Sequence, residues 1–102
     1  MIIEFDPAKS ERNARERGLP FERADEFDWD TALIIEDARR DYGEPRFRAF
    51  GFIGDRMHAL VFTPREGSLR VISLRKANRR EERNYEKETE SRDGRRRKPG
   101  VD

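Results

Sequence analysis

The stretch VISLRKANRREERNYEKE, residues 71–88, changes character partway along. Val71 to Leu74 is apolar and rich in β-branched side chains, the composition of a strand. From Lys76 to about Arg92 the residues are good helix formers, and no Gly or Pro intervenes before Gly94. Tyr85 is the only sizeable apolar residue in that second half, so the helix is expected to be solvated on most sides. Cations gather at the join: Arg75 and Lys76, then Arg79, Arg80 and Arg83.

Reading upstream from the join, strands follow one another through short turns. Leu69–Arg75 is preceded by the turn Pro64–Gly67, then by a strand at Met57–Thr63, a turn at Gly54-Asp55 and a strand at Arg46–Ile53. Connections this short imply an antiparallel meander. Ala32–Ile35 is a compact apolar run, joined to the meander by a charged loop, residues 38–45, that holds Gly43 and Pro45. At the start, Ile2–Phe5 is a short strand candidate. Asp6-Pro7 opens a helix that Gly18 ends, since Asp caps free amides and Pro suits the first helical position. Pro20 opens a shorter second helix with Phe21, Ala24 and Phe27 on one face. The order βααββββα is that of an α+β fold: a small, mostly antiparallel sheet with two N-terminal helices and one C-terminal helix.

The chain has 102 residues, which points to one domain. Hydrophobic residues make up 33% and charged residues 44%, so the core must be thin and the surface crowded with charge. Residues 1–88 are expected to form the domain, and 89–102 a frayed helix end and a disordered basic tail containing Arg95–Lys98. With no cysteine, thiolate chemistry and disulfides are excluded. No stretch has the length of a membrane span or the pattern of a signal peptide, so a cytoplasmic location without membrane contact is expected. The net charge of +1 conceals a segregation: residues 20–44 hold nine acids to three bases, and residues 64–84 hold seven bases to three acids. A local basic surface binds a polyanion even when the total charge is near zero.

Alternation along the last strand puts Arg75 on the face of Leu69, Val71 and Ser73, and Arg70 on the face of Ile72 and Leu74. The two arginines share a face only if the strand bulges. His58, the single histidine, lies within a strand and reads more readily as structural than as an acid–base catalyst. Glu44 is placed either to accept a proton or to pair with an arginine. Tyr85 either stacks on a base or pins the last helix to the sheet. The acids between Asp25 and Asp41 fit capping and solvation better than a cage for a hard cation, and no metal or other cofactor is expected.

Several segments together resemble one known family. They are Phe5-Asp6-Pro7-Ala8-Lys9, Asn13 with Gly18, Phe21-Glu22-Arg23-Ala24, Gly43-Glu44-Pro45-Arg46-Phe47, Val61-Phe62-Thr63 with Arg65, and Arg70-Val71-Ile72-Ser73-Leu74-Arg75-Lys76-Ala77, completed by Glu82-Arg83 and Tyr85. In this order they resemble the BrnT family of type II toxins, small RelE-like ribonucleases paired with BrnA antitoxins. Glu16-Arg17 stands where that family commonly has Lys-His. The resemblance implies metal-independent RNA cleavage that inhibits translation. It also implies neutralisation by a BrnA-like ribbon-helix-helix antitoxin, through which operator DNA is engaged only indirectly. Arginine suits phosphate stabilisation in such chemistry, because its planar fork is always charged. Glu44, Arg46, Arg75 and Lys76 are the catalytic candidates, and Arg65, Arg70, Arg79, Arg80 and Tyr85 the candidates for RNA contact. The alternative is a catalytically inactive binding module or toxin remnant that grips an antitoxin or nucleic acid through the same basic patch.

Overall fold

The computed structural model describes residues 2–93. Five strands form one mixed sheet: β1 (Ile2–Glu4), β2 (Leu33–Glu36), β3 (Phe47–Ile53), β4 (Arg56–Arg65) and β5 (Ser68–Lys76), in the spatial order β1-β5-β4-β3-β2. The meander β2 to β5 is antiparallel, as the short turns require, and β1 joins β5 in parallel at the far edge. Two α-helices accompany the sheet, α1 (Pro7–Arg17) and α2 (Arg79–Asp93).

Where a second α-helix was expected, Phe21–Glu26 is a 3-10 helix. The reason lies in the spacing already noted: Phe21, Ala24 and Phe27 recur every three residues, the period of a 3-10 turn, and all three are buried. The last helix also starts later than expected. Lys76 is still a strand residue, paired with His58, and Asn78 caps the helix. The predicted basic run at Arg95–Lys98 lies outside the described residues.

α1 begins and ends as its sequence dictates. The Asp6 side chain accepts from the Ala8 amide at 3.0 Å, and Gly18 takes φ of 70°, a left-handed conformation that favours glycine. Ser10, buried on α1, accepts from the Phe21 amide at 2.7 Å and donates to Glu22 at 3.2 Å, locking the 3-10 helix alongside. Asn13 donates to the carbonyls of Leu19 (2.7 Å) and Leu74 (2.9 Å). It thereby ties the end of α1 to β5 one residue before Arg75.

The sheet has two unlike faces. The first packs against the 3-10 helix and its flanks through Leu19, Phe21, Phe27, Leu60, Val71 and Leu74, and α1 lies against the 3-10 helix. The second carries a smaller cluster, Leu33, Phe50, Met57, Ala59 and Ala77, with Tyr85 of α2 packed against it. Tyr85 meets Phe52 edge-on at 5.8 Å and donates to the Thr31 carbonyl at 2.8 Å. Among the described residues α2 covers one end of this second face, and the loop before β3 reaches the other, where Thr63 donates to the Pro45 carbonyl at 2.6 Å.

Candidate nucleic-acid interface

The register lays two rows of side chains across the second face. One runs Ile35, Arg48, Val61, Ser73; the next runs Leu33, Phe50, Ala59, Arg75. Small residues on β4 and β5 thus form a floor between Arg48 and Arg75. Arg39, from the loop after β2, and Glu81, from the first turn of α2, complete the walls of a cavity of about 210 Å³. A larger cleft of about 510 Å³, between α1 and the 3-10 helix, has Ser10, Glu11 and Glu22 as its polar lining and no cation. Of these two, the first offers an anion cationic partners.

Two of the three guanidiniums in the pocket are held by carboxylates. Arg75 donates through both terminal nitrogens to Glu81, at 2.9 and 2.7 Å. Glu81 also closes a reciprocal cap with Asn78: its amide donates to the Asn78 side chain (2.8 Å), and its carboxylate accepts from the Asn78 amide (2.9 Å). Arg39 grips Asp37 in the same bidentate fashion, at 2.7 and 2.8 Å, and Tyr42 adds a weaker donor at 3.4 Å. The hydrogen bond from Arg39 holds the Asp37 carboxyl well below the usual range, and that from Arg75 lowers the Glu81 carboxyl. The charge of Arg48 pushes both in the same direction. Arg48 itself has no carboxylate partner among the described residues, and its Nε is buried without a hydrogen bond. Three positive charges against two negative ones leave the pocket with an excess of one, lying nearest Arg48.

The structure divides the candidates named from sequence. Arg75 is in the pocket. Glu44 and Arg46 do not line it; Glu44 sits between Arg46 (3.5 Å) and Arg65 (3.6 Å), and the Arg46 guanidinium lies 4.1 Å from the Tyr42 ring. Lys76 is opposite His58 in the register, and alternation sends it to the face away from Arg75. Arg79 and Arg80 are exposed at the start of α2. Tyr85 is engaged in anchoring α2. Arg70 shares the face of Arg75, because β5 does bulge: Val61 pairs with Ser73 but Phe62 with Val71, so Ile72 is the extra residue. Arg70 lies 4.0 Å from Glu4. His58 is buried on the helix-covered side of the sheet, with Nδ1 2.8 Å from the Arg56 carbonyl.

Arg39, Arg48, Asp37 and Glu81 escaped the sequence reading. Arg48 had a signal: alternation along β3 places it with Phe50 and Phe52, opposite Phe47 and Ala49. Glu81 had one in the Asn78–Glu81 spacing of a capping box. Asp37 and Arg39 belong to a loop and had none.

The molecule is a small α+β protein in which three guanidiniums line one pocket, donors of the kind that pair with phosphate oxygens. The model of BrnT, the ribonuclease toxin of a type II toxin–antitoxin system, matches residues 5–81, and the chain belongs to this family. No curated protein and no solved structure matches it.

Proposed function

We propose that the chain is a metal-independent endoribonuclease whose scissile phosphate lies in the pocket of Arg39, Arg48 and Arg75. The observation that carries this is the meeting of Arg39, Arg48 and Arg75 in one cavity, where Arg48 has no carboxylate partner among the described residues and one positive charge is in surplus. The charge suits a phosphodiester, which is a monoanion. In the reaction the 2′-oxygen attacks phosphorus and loses its proton, the bond to the 5′-oxygen breaks, and that oxygen is protonated. The guanidiniums stabilise the extra charge of the phosphorane, which fixed donors do best when water is excluded. Glu81 lines the pocket and Glu44 lies outside it, between Arg46 and Arg65; these are the carboxylates to test as proton acceptors, by Glu81→Gln and Glu44→Gln. Arg46, Arg65 and Arg70 extend the basic track for the flanking backbone, with Lys76, Arg79 and Arg80 contributing outside the pocket. Cutting messenger RNA in the cytoplasm would stop translation, and a BrnA-type antitoxin would relieve the block.

A second reading is a binding module without catalysis. It is favoured by the absence of an imidazole from the pocket, His58 being on the other face and Arg17 standing where the family commonly has His. Purified protein incubated with single-stranded RNA in chelator separates the two. Cleavage is expected, and Arg48→Ala should slow it about 10²–10³-fold at unchanged fold. Binding without cleavage selects the second reading. Cleavage undiminished in Arg48→Ala removes the pocket from the mechanism.

A further inference from the structure

β2 is the edge of the sheet beside the arginine pocket, and its outer side is unoccupied among the described residues. The phase of its hydrogen bonds follows from one contact: the Asp37 amide donates to the Arg46 carbonyl at 2.8 Å. In an antiparallel pair every second residue bonds to the same neighbour, so Asp37, Ile35 and Leu33 face β3. Ile34 and Glu36 therefore turn their N–H and C=O groups outward, and neither is hydrogen-bonded to the described chain. Ile34 is also 47% exposed.

Edge strands usually carry a device against pairing, such as a Lys, a Pro or a bulge. The run Leu33-Ile34-Ile35-Glu36 has none of these. The far edge, β1, is shorter, and its Glu4 is already bonded to Ser68. Charge on β2 and before it is negative, with Glu36 on the strand and Asp28 and Asp30 preceding it, all exposed, while the exposed Arg39 and Arg40 lie beyond its far end. Like charges disfavour pairing with a second copy of this chain and favour a basic partner.

We infer that the antitoxin of this system docks by adding a strand to the outer edge of β2. That strand would set an apolar side chain against Ile34 and a basic one near Glu36. Past Glu36, β2 leads to Asp37 and Arg39, so a chain that follows it arrives at the mouth of the pocket. Edge pairing would thus supply affinity, and the continuation would block the guanidiniums. The inference rests on the family's possession of an antitoxin, and it holds whether or not the pocket cleaves RNA.

The test uses the full chain and the purified antitoxin encoded with it, by amide hydrogen exchange and titration. In the free chain the amides of Ile34 and Glu36 should exchange fast; in the complex they should be protected. Ile34→Pro removes an outward N–H together with the exposed isoleucine side chain and leaves the bonds to β3 intact, so it should fold and bind about tenfold or more weakly. Ile34→Lys, which keeps the backbone donor but places a cation at the apolar contact, is a second variant if the proline perturbs the fold. Failure of the purified antitoxin to bind overturns the proposal, as does a complex in which both amides still exchange fast. Protection of these amides in the chain alone, with a dimeric mass, also overturns it and identifies a second copy as the occupant. Edge protection without ribonuclease activity supports the docking site while sinking the catalytic reading.

Discussion

Arg75 and Glu81 are six residues apart and joined by two hydrogen bonds, one from β5 and the other end from the first turn of α2. The carboxylate that holds the guanidinium is the same one that caps the helix. Positioning of the candidate phosphate clamp and initiation of α2 are therefore a single event.

Glu81→Ala should remove both functions. The lost cap alone costs about 0.5–2 kcal/mol, readable as a lower urea midpoint. RNA cleavage should fall further than that loss of folded protein explains, because Arg75 is no longer oriented. Glu81→Gln retains a side-chain acceptor for the Asn78 amide and should restore most of the stability. A Glu81→Ala protein with wild-type cleavage would show that Arg75 needs no orientation.

The buried imidazole of His58 should set an acid limit on stability. Burial pushes its pKa below the ordinary 6.5. The unfolded chain thus takes up a proton at a pH where the folded chain does not. Stability is unaffected by this group above about 6.5 and declines as pH falls from there through the lower folded value. Denaturation curves at intervals between pH 7.5 and 5 should show the decline, and His58→Leu should flatten it. An equal decline in the variant would place its origin elsewhere. The lowered carboxyls of Glu81 and Asp37 act in a more acidic window, where their protonation would release Arg75 and Arg39.

Gly51 is needed for closeness to the 3-10 helix face rather than for a turn. A Cβ built there would lie 2.8 Å from the Phe27 ring and 3.2 Å from Ala32. Gly51→Ala should cost about 1–3 kcal/mol by overpacking, measured as a drop in melting temperature. Phe27→Leu in the same chain should recover part of the loss, since it withdraws the ring. No loss in Gly51→Ala would mean that Phe27 moves freely.

Tyr85 should be worth more to helix docking than to RNA. Tyr85→Phe loses the hydrogen bond to Thr31 and should cost about 0.5–1.5 kcal/mol. RNA affinity of the folded variant should stay within about twofold, a change of only a few tenths of a kcal/mol. A large loss of affinity at unchanged stability would restore the base-stacking role.

The sequence by itself determined the order of the elements and most of their bounds, but not that Phe21–Glu26 is a 3-10 helix or that Lys76 stays in the last strand. Local causes suffice for them: Asp6-Pro7 and Gly18 bound α1, short turns dictate the antiparallel meander, and apolar alternation sorts Phe47 and Ala49 from Phe50 and Phe52. The set of residues that resembles the BrnT family was likewise readable along the chain. Only the tertiary structure decided which cations meet. The bulge at Ile72 reverses the face of Arg70, Lys76 leaves the sheet on the side opposite Arg75, and the loop after β2 brings Arg39 to a pocket no local pattern announces. Which side chains share a face depends on register, and a single extra residue in one strand inverts it. That is why the arginine pocket had to be seen folded, while the strands that frame it did not.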